Sequence, residues 1–232
     1  FNSFIPADLN EDLAGRLVDV YIDRLLGEPT LHDKIEFEIV FSCYTLDLPD
    51  RLETLAEKGF TQSERTEIAR SLKRLTNRIV HPDKGLWRDD SAKLDILNSR
   101  YEKLVSSDVD KIERIYWLIE DAKRYGTLPF AGLARAGFIA VQMLRSLVSV
   151  GVFSPNDLDT FISSVSTVSS QLALDRNAMD LSVFLEHYGH LRPGTYDILS
   201  HRYDEAPELY FNFTQSQTAS ETSKTFSLTL EQ

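Results

Sequence analysis

The sequence predicts an all-α protein, a bundle of several helices with at most a minor strand near residues 35–41 or in the C-terminal tail. Two observations favour this class. Apolar residues recur at intervals of three and four along most of the 232 residues, which is the spacing of one helix face. Typical helix starts and stops, such as the proline and acidic residues that follow Ser154, separate these periodic segments.

The first half of the chain contains four predicted helical segments. Asn10 is a candidate N-cap for the first one, whose apolar face comprises Leu13, Leu17, Tyr21 and Leu25. Residues 35–41 fit a strand, because apolar and polar residues alternate, and equally one face of a helix, so both remain open. A further helix follows Ser63 and ends at Pro82, and others are predicted over about 91–104 and 112–119.

The second half begins at a predicted boundary in the segment 125–129, where Pro129 suits a first helical turn. The helix that follows is the most apolar of the chain. It carries many alanines and glycines, so we expect it to be the buried central helix of the bundle. Ser154 is expected to cap a helix that continues to Val168, and a last helix covers about 177–187. The sequence thus predicts subdomains at 1–125 and 126–213, followed by a linker or tail at 214–232.

Composition limits the classes of function. The net charge of -11 argues against a nucleic-acid partner that would be bound by a general basic field. A single cysteine, Cys43, excludes an internal disulfide and fits a reducing compartment. No apolar run is long enough to predict a membrane span, so a cytoplasmic location is expected. The chain begins with Phe1 rather than methionine, which suggests a piece of a larger protein.

The segment 187–205 is the densest polar region of the sequence. It combines histidines, arginines, tyrosines and carboxylates with two glycines and a proline. Such a loop is costly to order unless it binds something or holds structural elements together. Its candidate residues for binding a substrate or an anion are His190, Arg192, Tyr196, Asp197 and Arg202.

Three interpretations of this polar loop remain open. Arg192 and Arg202 have the geometry to bind a phosphate or a carboxylate through paired hydrogen bonds. Alternatively, both arginines pair internally with nearby carboxylates and form a structural network. His187 and His190 are spaced for a metal ion, but metal ligands usually come from more distributed scaffolds, so no metal site is predicted.

The same loop resembles a segment of the phosphoenolpyruvate synthase-like proteins, the family related to pyruvate phosphate dikinase. The resemblance lies in His187 to Asp197 and in the following Arg202-Tyr203-Asp204-Glu205. It extends over the Gly126 to Ala140 region and the Ser146-Leu147-Val148 run, and so covers roughly the C-terminal half. The N-terminal half is similar more loosely, through residues 35–40.

This resemblance implies an ATP-dependent phosphotransferase with three parts: an ATP-grasp domain, a helical middle region and a swivelling phosphohistidine domain. The chain lacks a glycine-rich nucleotide loop and a Gly-Gly-x-x-Ser-His-like segment. It therefore resembles the middle region, which implies the two other domains and a small-molecule phosphoryl acceptor as partners. ATP and Mg²⁺ are implied for the parent protein and none in this segment. Neither His187 nor His190 is expected to carry the phosphoryl group.

A second motif resembles the J-domain co-chaperones. A basic helix leads into His81, Pro82 and Asp83, and a helical segment with Tyr101 follows. The resemblance implies docking of Arg70, Lys73, Arg74 and Arg78 on an acidic chaperone surface. The simpler interpretation is that a proline ends a helix and an aspartate shapes the turn.

Overall fold

The computed structural model describes residues 1–193, 197 and 199–211. Within these ranges the chain is all-α and contains no strand, so the predicted fold class is confirmed. The chain divides into two compact units, Phe1–Phe153 and a second that begins at Ser154. The sequence-based boundary at 125–126 falls inside the first unit. The expected tail at 214–232 lies outside the described residues.

The first unit contains six α-helices among its described residues. They are α1 (Glu11–Gly27), α2 (Leu48–Leu52), α3 (Gln62–Val80), α4 (Leu86–Val105), α5 (Lys111–Asp121) and α6 (Leu128–Ser149). Short 3-10 segments lie at Asn2–Phe4, Pro29–Leu31 and Glu53–Lys58, and π-helical turns lie at Ile35–Ile39 and Ala122–Thr127.

Local capping explains where the early helices begin. Asn10 caps α1 through its side-chain oxygen, which accepts from the N–H groups of Asp12 and Leu13, as predicted. Helix α3 begins two residues before its predicted start, because Thr61 and Glu64 form a reciprocal capping box. Helix α4 likewise begins at Leu86 rather than near residue 91, directly after the turn that follows α3.

The main hydrophobic core lies between α1, α2, α3 and the segment 39–41. Its most buried side chains include Leu17, Tyr21, Ile39, Leu48, Leu55 and Ile68. The Tyr21 hydroxyl accepts a hydrogen bond from the N–H of Phe41 at 3.2 Å, and burial raises the pKa of this phenol well above its ordinary value. The apolar periodicity of α1 and α3 therefore faces this core.

Residues 35–39 form a single π-helical turn, so the strand alternative is wrong. Its hydrogen bonds explain the choice: the Val40 N–H donates to the Ile35 carbonyl at 3.1 Å, which closes the wide turn. The Glu36 carbonyl accepts from Ser42 Oγ at 3.1 Å and from Gln142 Nε2 at 3.1 Å. Side chains therefore satisfy a backbone group that a strand would have paired with a neighbouring strand.

The predicted boundary at 125–129 is not a break in helical structure. Helical turns continue from Lys111 to Ser149, with the π-turn Ala122–Thr127 between α5 and α6. Pro129 lies in the first turn of α6, as predicted. Because proline has no N–H and crowds the preceding turn, a local change of hydrogen-bond pattern accommodates it there.

Helix α6 is only partly buried, which corrects the expectation of a buried central helix. Only Pro129, Ile139, Gln142 and Ser146 are buried along it. The continuous helix Lys111–Ser149 is long and apolar enough to cross a membrane by length and composition, and 17% of its most apolar window is buried. One such helix is weak evidence for a membrane span, because long helices of soluble proteins share these properties.

Polar contacts attach α6 to the rest of the first unit. Gln142 Nε2 donates to Ser42 Oγ at 2.8 Å, and the Leu46 N–H donates to Ser146 Oγ at 3.3 Å. A small second cluster packs Cys43 against Ile79 and Ile139. The buried polar residues Gln142 and Ser146 lie on the same helix face as the buried Ile139. The pattern of apolar residues alone therefore did not indicate which face of α6 is buried.

The second unit contains three α-helices among its described residues: α7 (Pro155–Ser164), α8 (Val168–Ala178) and α9 (Leu181–Tyr188). Ser154 and Asp157 form a capping box for α7, which confirms the predicted start. The predicted continuation to Val168 is wrong, because Thr167 caps a new helix there. Helix α9 ends at Tyr188 and leads into the polar loop.

Candidate functional site

The polar loop of the second unit (residues 187–193, 197 and 199–205 as described) starts at a close backbone crossing. Gly189 is the C-cap of α9, and its N–H donates to the Leu185 carbonyl at 2.8 Å. A Cβ at Gly189 would lie 2.8 Å from the Cβ of Asp204. The crossing therefore requires glycine for space and not for an unusual backbone angle.

Backbone hydrogen bonds fasten the two ends of the loop to each other. The Tyr203 N–H donates to the Leu191 carbonyl at 2.9 Å, and the Asp204 N–H donates to the Gly189 carbonyl at 3.1 Å. These bonds join residues that are more than ten positions apart in the sequence. The loop therefore has a defined conformation at its base.

Arg202 and Asp204 form a two-point ion pair at this crossing. Arg202 Nε donates to Asp204 Oδ1 at 2.9 Å, and Nη2 donates to Oδ2. The Arg202 guanidinium holds the pKa of Asp204 below its usual range, and Asp204 raises the pKa of Arg202. The guanidinium of Arg202 is thus engaged within the loop, in agreement with the internal-pairing alternative.

An aromatic cluster supports the loop. Phe184 on α9 is fully buried, and its ring centroid lies 5.0 Å from those of Tyr188 and Phe211. Tyr203 packs on Phe211 at 4.7 Å. Phe184 and Phe211 were not among the candidate residues predicted from the sequence. The contact between their rings depends on a reversal of the chain between them, which no local sequence pattern indicates.

The candidate residues of the loop differ in their surroundings. His190, Arg192 and Asp197 are exposed, and Tyr196 lies outside the described residues. The Asp197 carboxylate accepts from the Leu199 N–H at 2.9 Å, which is the pattern of an Asx-turn. Of these candidates, Arg202 is hydrogen-bonded to Asp204, and His190 makes a smaller contribution to lowering the pKa of that carboxyl.

The Arg202–Asp204 pair gives a testable pH dependence. Because the pKa of Asp204 is lowered in the folded state, the pair stabilises the loop above the ordinary value of 3.8. That stabilisation is lost as the pH falls through the folded pKa. We expect a carboxyl-carbon NMR titration to give a pKa below 3.8 for Asp204, and Arg202→Gln to return it towards 3.8.

A charge-matched control is Lys84→Gln, because it removes one positive charge from an exposed position of the first unit. An unshifted Asp204 in the unmodified protein, or a shift that survives Arg202→Gln, would contradict the pairing.

The second candidate site is the turn His81–Gly85 between α3 and α4. The His81 Nδ1 accepts from the N–H groups of Asp83 at 3.1 Å and Lys84 at 3.2 Å. Nδ1 is therefore unprotonated and Nε2 carries the proton. His81, Pro82 and Asp83 are all exposed. The tripeptide thus forms an ordered turn, with the imidazole acting as a cap for two backbone donors.

The turn is closed on its inner side by Gly85 and Trp87. The Gly85 N–H donates to the His81 carbonyl at 2.9 Å, and Trp87 Nε1 donates to the same carbonyl at 3.2 Å. Arg88 Nε donates to the Pro82 carbonyl. The α3–α4 turn is therefore held by side chains of α4 as well as by its own backbone.

The basic face of α3 is exposed but partly engaged. Arg74 forms an ion pair with Asp8 at 2.6 Å, and the Lys73 ammonium lies 5.3 Å from the ring centre of Tyr44. Arg70 lines a shallow cleft of about 400 Å³ on the same helix. The face retains a positive character at Arg70 and Arg78, which are both exposed.

Across the described part of the chain, no group of three or more His, Cys, Asp or Glu side chains is placed to hold a metal ion. Comparison with family models, with curated proteins and with solved structures gave no match to this chain.

Proposed function

We propose that this chain is the central helical domain of a phosphoenolpyruvate synthase-like, ATP-dependent phosphotransferase. In this role it links the ATP-grasp domain and the swivelling phosphohistidine domain and contributes to the phosphoryl-acceptor site. The observation that carries the proposal is the polar loop. Its base is ordered by the backbone crossing at Gly189, and the Arg202–Asp204 pair lies beside that crossing. Arg192 and His190 are solvent-exposed residues of the same loop.

The loop residues would divide into positioning and contacting groups. Arg202 pairs with Asp204, whose backbone N–H donates to the Gly189 carbonyl, so Arg202 would act as a positioning residue. Arg192 is an exposed guanidinium and would hydrogen-bond the oxygens of a phosphoryl group or of an acidic acceptor. His190 would add a hydrogen-bonding group beside it, and Asp197 would shape the intervening turn. Tyr196 is retained as a candidate from the sequence alone.

The proposal assigns the remaining parts of the reaction to other domains. ATP and Mg²⁺ would be bound by the ATP-grasp domain, and the phosphoryl group would be carried by a histidine of the swivelling domain. The present segment alone would be catalytically inactive. The phosphoryl acceptor is a small molecule, and neither nucleic acid nor a membrane is a partner in this proposal. A cytoplasmic location belongs to the same proposal.

Arg192→Ala in the intact phosphotransferase tests the contact. We expect kcat/KM for phosphoryl transfer to fall about 100-fold, because one charged donor to the transferred group or acceptor is lost. The thermal midpoint should change by less than about 2 °C, because surface substitutions rarely alter stability. Arg192→Lys should recover part of the rate, since it keeps the charge without the paired donors. A large loss of stability with full activity in the folded fraction would assign Arg192 a structural role instead.

A J-domain-like interaction module is the alternative, and one observation favours it: His81, Pro82 and Asp83 are presented together on an ordered, exposed turn between two helices. In that case the chain should stimulate the ATPase of the heat-shock chaperone that J-domains recognise. His81→Gln and Asp83→Asn should abolish stimulation. Asp83→Asn is the cleaner variant, since the backbone N–H of Asp83 makes the turn contact. Exposed Asp33→Asn is the control, and absence of stimulation by the unmodified chain excludes this role.

A further inference from the structure

A cleft of about 260 Å³ lies where α4 ends and α5 begins in the first unit. None of its lining residues belongs to either candidate site described above. Its walls combine charged side chains of α4 and α5 with apolar side chains of α4, the α4–α5 loop and α5. The residues used below are Arg100, Lys103, Leu104, Val109, Trp117 and Asp121.

The cleft has a built polar wall. The Asp121 side chain is 94% buried, since 6% of it is exposed, and its Oδ1 accepts from Arg100 Nε at 2.6 Å. Arg100 also lies with its guanidinium carbon 5.3 Å from the ring centre of Tyr125. A buried carboxylate and a stacked arginine restrict each other's conformations. This wall is therefore formed before any ligand arrives.

The α4–α5 loop that closes the cleft is fixed as well. Asp110 caps α5 by accepting from the N–H groups of Ile112 and Glu113 at 2.7 and 2.9 Å. Arg114 Nη2 donates to the Ser107 carbonyl at 3.1 Å, and Ser107 lines the cleft. Arg114 Nε is buried and has no hydrogen-bond partner among the described residues. These contacts fix the position of the loop beside the cleft.

The charges of the cleft favour an anion. Among the lining side chains, Arg100 and Lys103 are positively charged and Asp121 is negatively charged. Within residues 1–193, 197 and 199–211, Lys103 forms no ion pair, while Asp121 is paired with Arg100. Because Asp121 is already paired, the Lys103 ammonium is available to a monoanion that enters the cleft.

The apolar part of the cleft favours a flat group. The Trp117 indole is 37% exposed, and its Nε1 donates to Glu113 Oε1 at 3.3 Å, so its hydrogen-bonding requirement is already met. Leu104 and Val109 complete the apolar lining. A planar ring would contact the indole without leaving a polar group unsatisfied.

We propose that the cleft between α4 and α5 binds a small aromatic carboxylate. Its carboxylate pairs with Lys103 and with the free face of Arg100, and its ring packs on Trp117 between Leu104 and Val109. The volume of about 260 Å³ accommodates one or two fused rings. All residues of this site belong to the first unit, and the proposal is independent of the proposed phosphotransferase role.

The probe is 2-naphthoate, titrated into the full chain and followed through the indole N–H resonance of Trp117. Trp87→Phe assigns that resonance, since the chain has two tryptophans. We expect a saturable shift with a dissociation constant near about 1 mM or below. Lys103→Gln should weaken binding about tenfold, and affinity should fall with salt. Lys34→Gln removes the same charge from an exposed position outside the cleft and should leave binding unchanged.

The neutral analogue 2-naphthamide separates this proposal from unspecific apolar contact. The amide should shift the Trp117 resonance only weakly. Equal binding of the acid and the amide, an unaffected Lys103→Gln variant, or no shift up to about 10 mM 2-naphthoate would each overturn the proposal. Because Arg100 holds the buried Asp121, Arg100 variants are not used: their loss of folding would mimic loss of binding.

Discussion

Phe184→Ala is expected to lower the free energy of unfolding of the second unit by about 3–5 kcal/mol. The Phe184 ring is completely buried and contacts the rings of Tyr188 and Phe211. Alanine leaves a cavity that these neighbours fill only partly, and it removes the platform under the polar loop. A domain with a small core has little stability to lose, so we expect the folded population of this unit to fall sharply.

The measurement is amide hydrogen exchange in α9 together with a urea transition. The matched control is Val183→Ala on the same helix, where the side chain is 42% exposed and the expected change is within about 0.5 kcal/mol. Unchanged protection of α9 in Phe184→Ala would show that the aromatic cluster does not hold the loop. Phe184→Ala and Arg192→Ala are expected to differ in this measurement. Arg192→Ala should reduce phosphoryl transfer without loss of amide protection in α9.

Gly85→Ala is expected to destabilise the first unit by about 3 kcal/mol. A Cβ at this position would lie 2.5 Å from the carbonyl oxygens of both Ile79 and His81, and 2.7 Å from Trp87 Cδ1. The oxygens belong to the end of α3 and to the turn itself, so they cannot move without breaking backbone hydrogen bonds. The substitution therefore displaces the His81–Asp83 turn.

The control for Gly85→Ala is Gly137→Ala in α6, where no atom lies within 4 Å of the added Cβ. Alanine is the better helix former, so this control should raise stability by about 0.5–1 kcal/mol. Urea transitions of the two variants, compared at equal slope, check the prediction. Equal stability of Gly85→Ala and the unmodified protein would mean that the turn is looser than the contacts indicate.

The two candidate sites differ in how far they follow from sequence. The His81–Asp83 turn is local: a proline ends α3 and the histidine caps the next two N–H groups, so its place between helices was predictable. In the polar loop, by contrast, the sequence did not distinguish Arg192 from Arg202 as a ligand for an anion. Arg202 pairs with Asp204 only two residues away, whereas the backbone crossing that joins this end of the loop to Gly189 and Leu191 is not a local feature. The cleft at the α4–α5 corner was not predicted, because Arg100 and Asp121 lie on different helices.

The sequence by itself determined the all-α class, the positions of most helices and several of their caps. These features depend on interactions within a few residues, such as the Asn10 cap of α1 and the Ser154–Asp157 capping box of α7. Only the tertiary structure decided that residues 35–39 form a helical turn, that α6 is partly exposed, and that the two ends of the polar loop meet at Gly189. Those outcomes depend on partners distant in the chain, as in the contacts of Gln142 with Glu36 and Ser42. The geometry of such contacts exists only once the helices have packed.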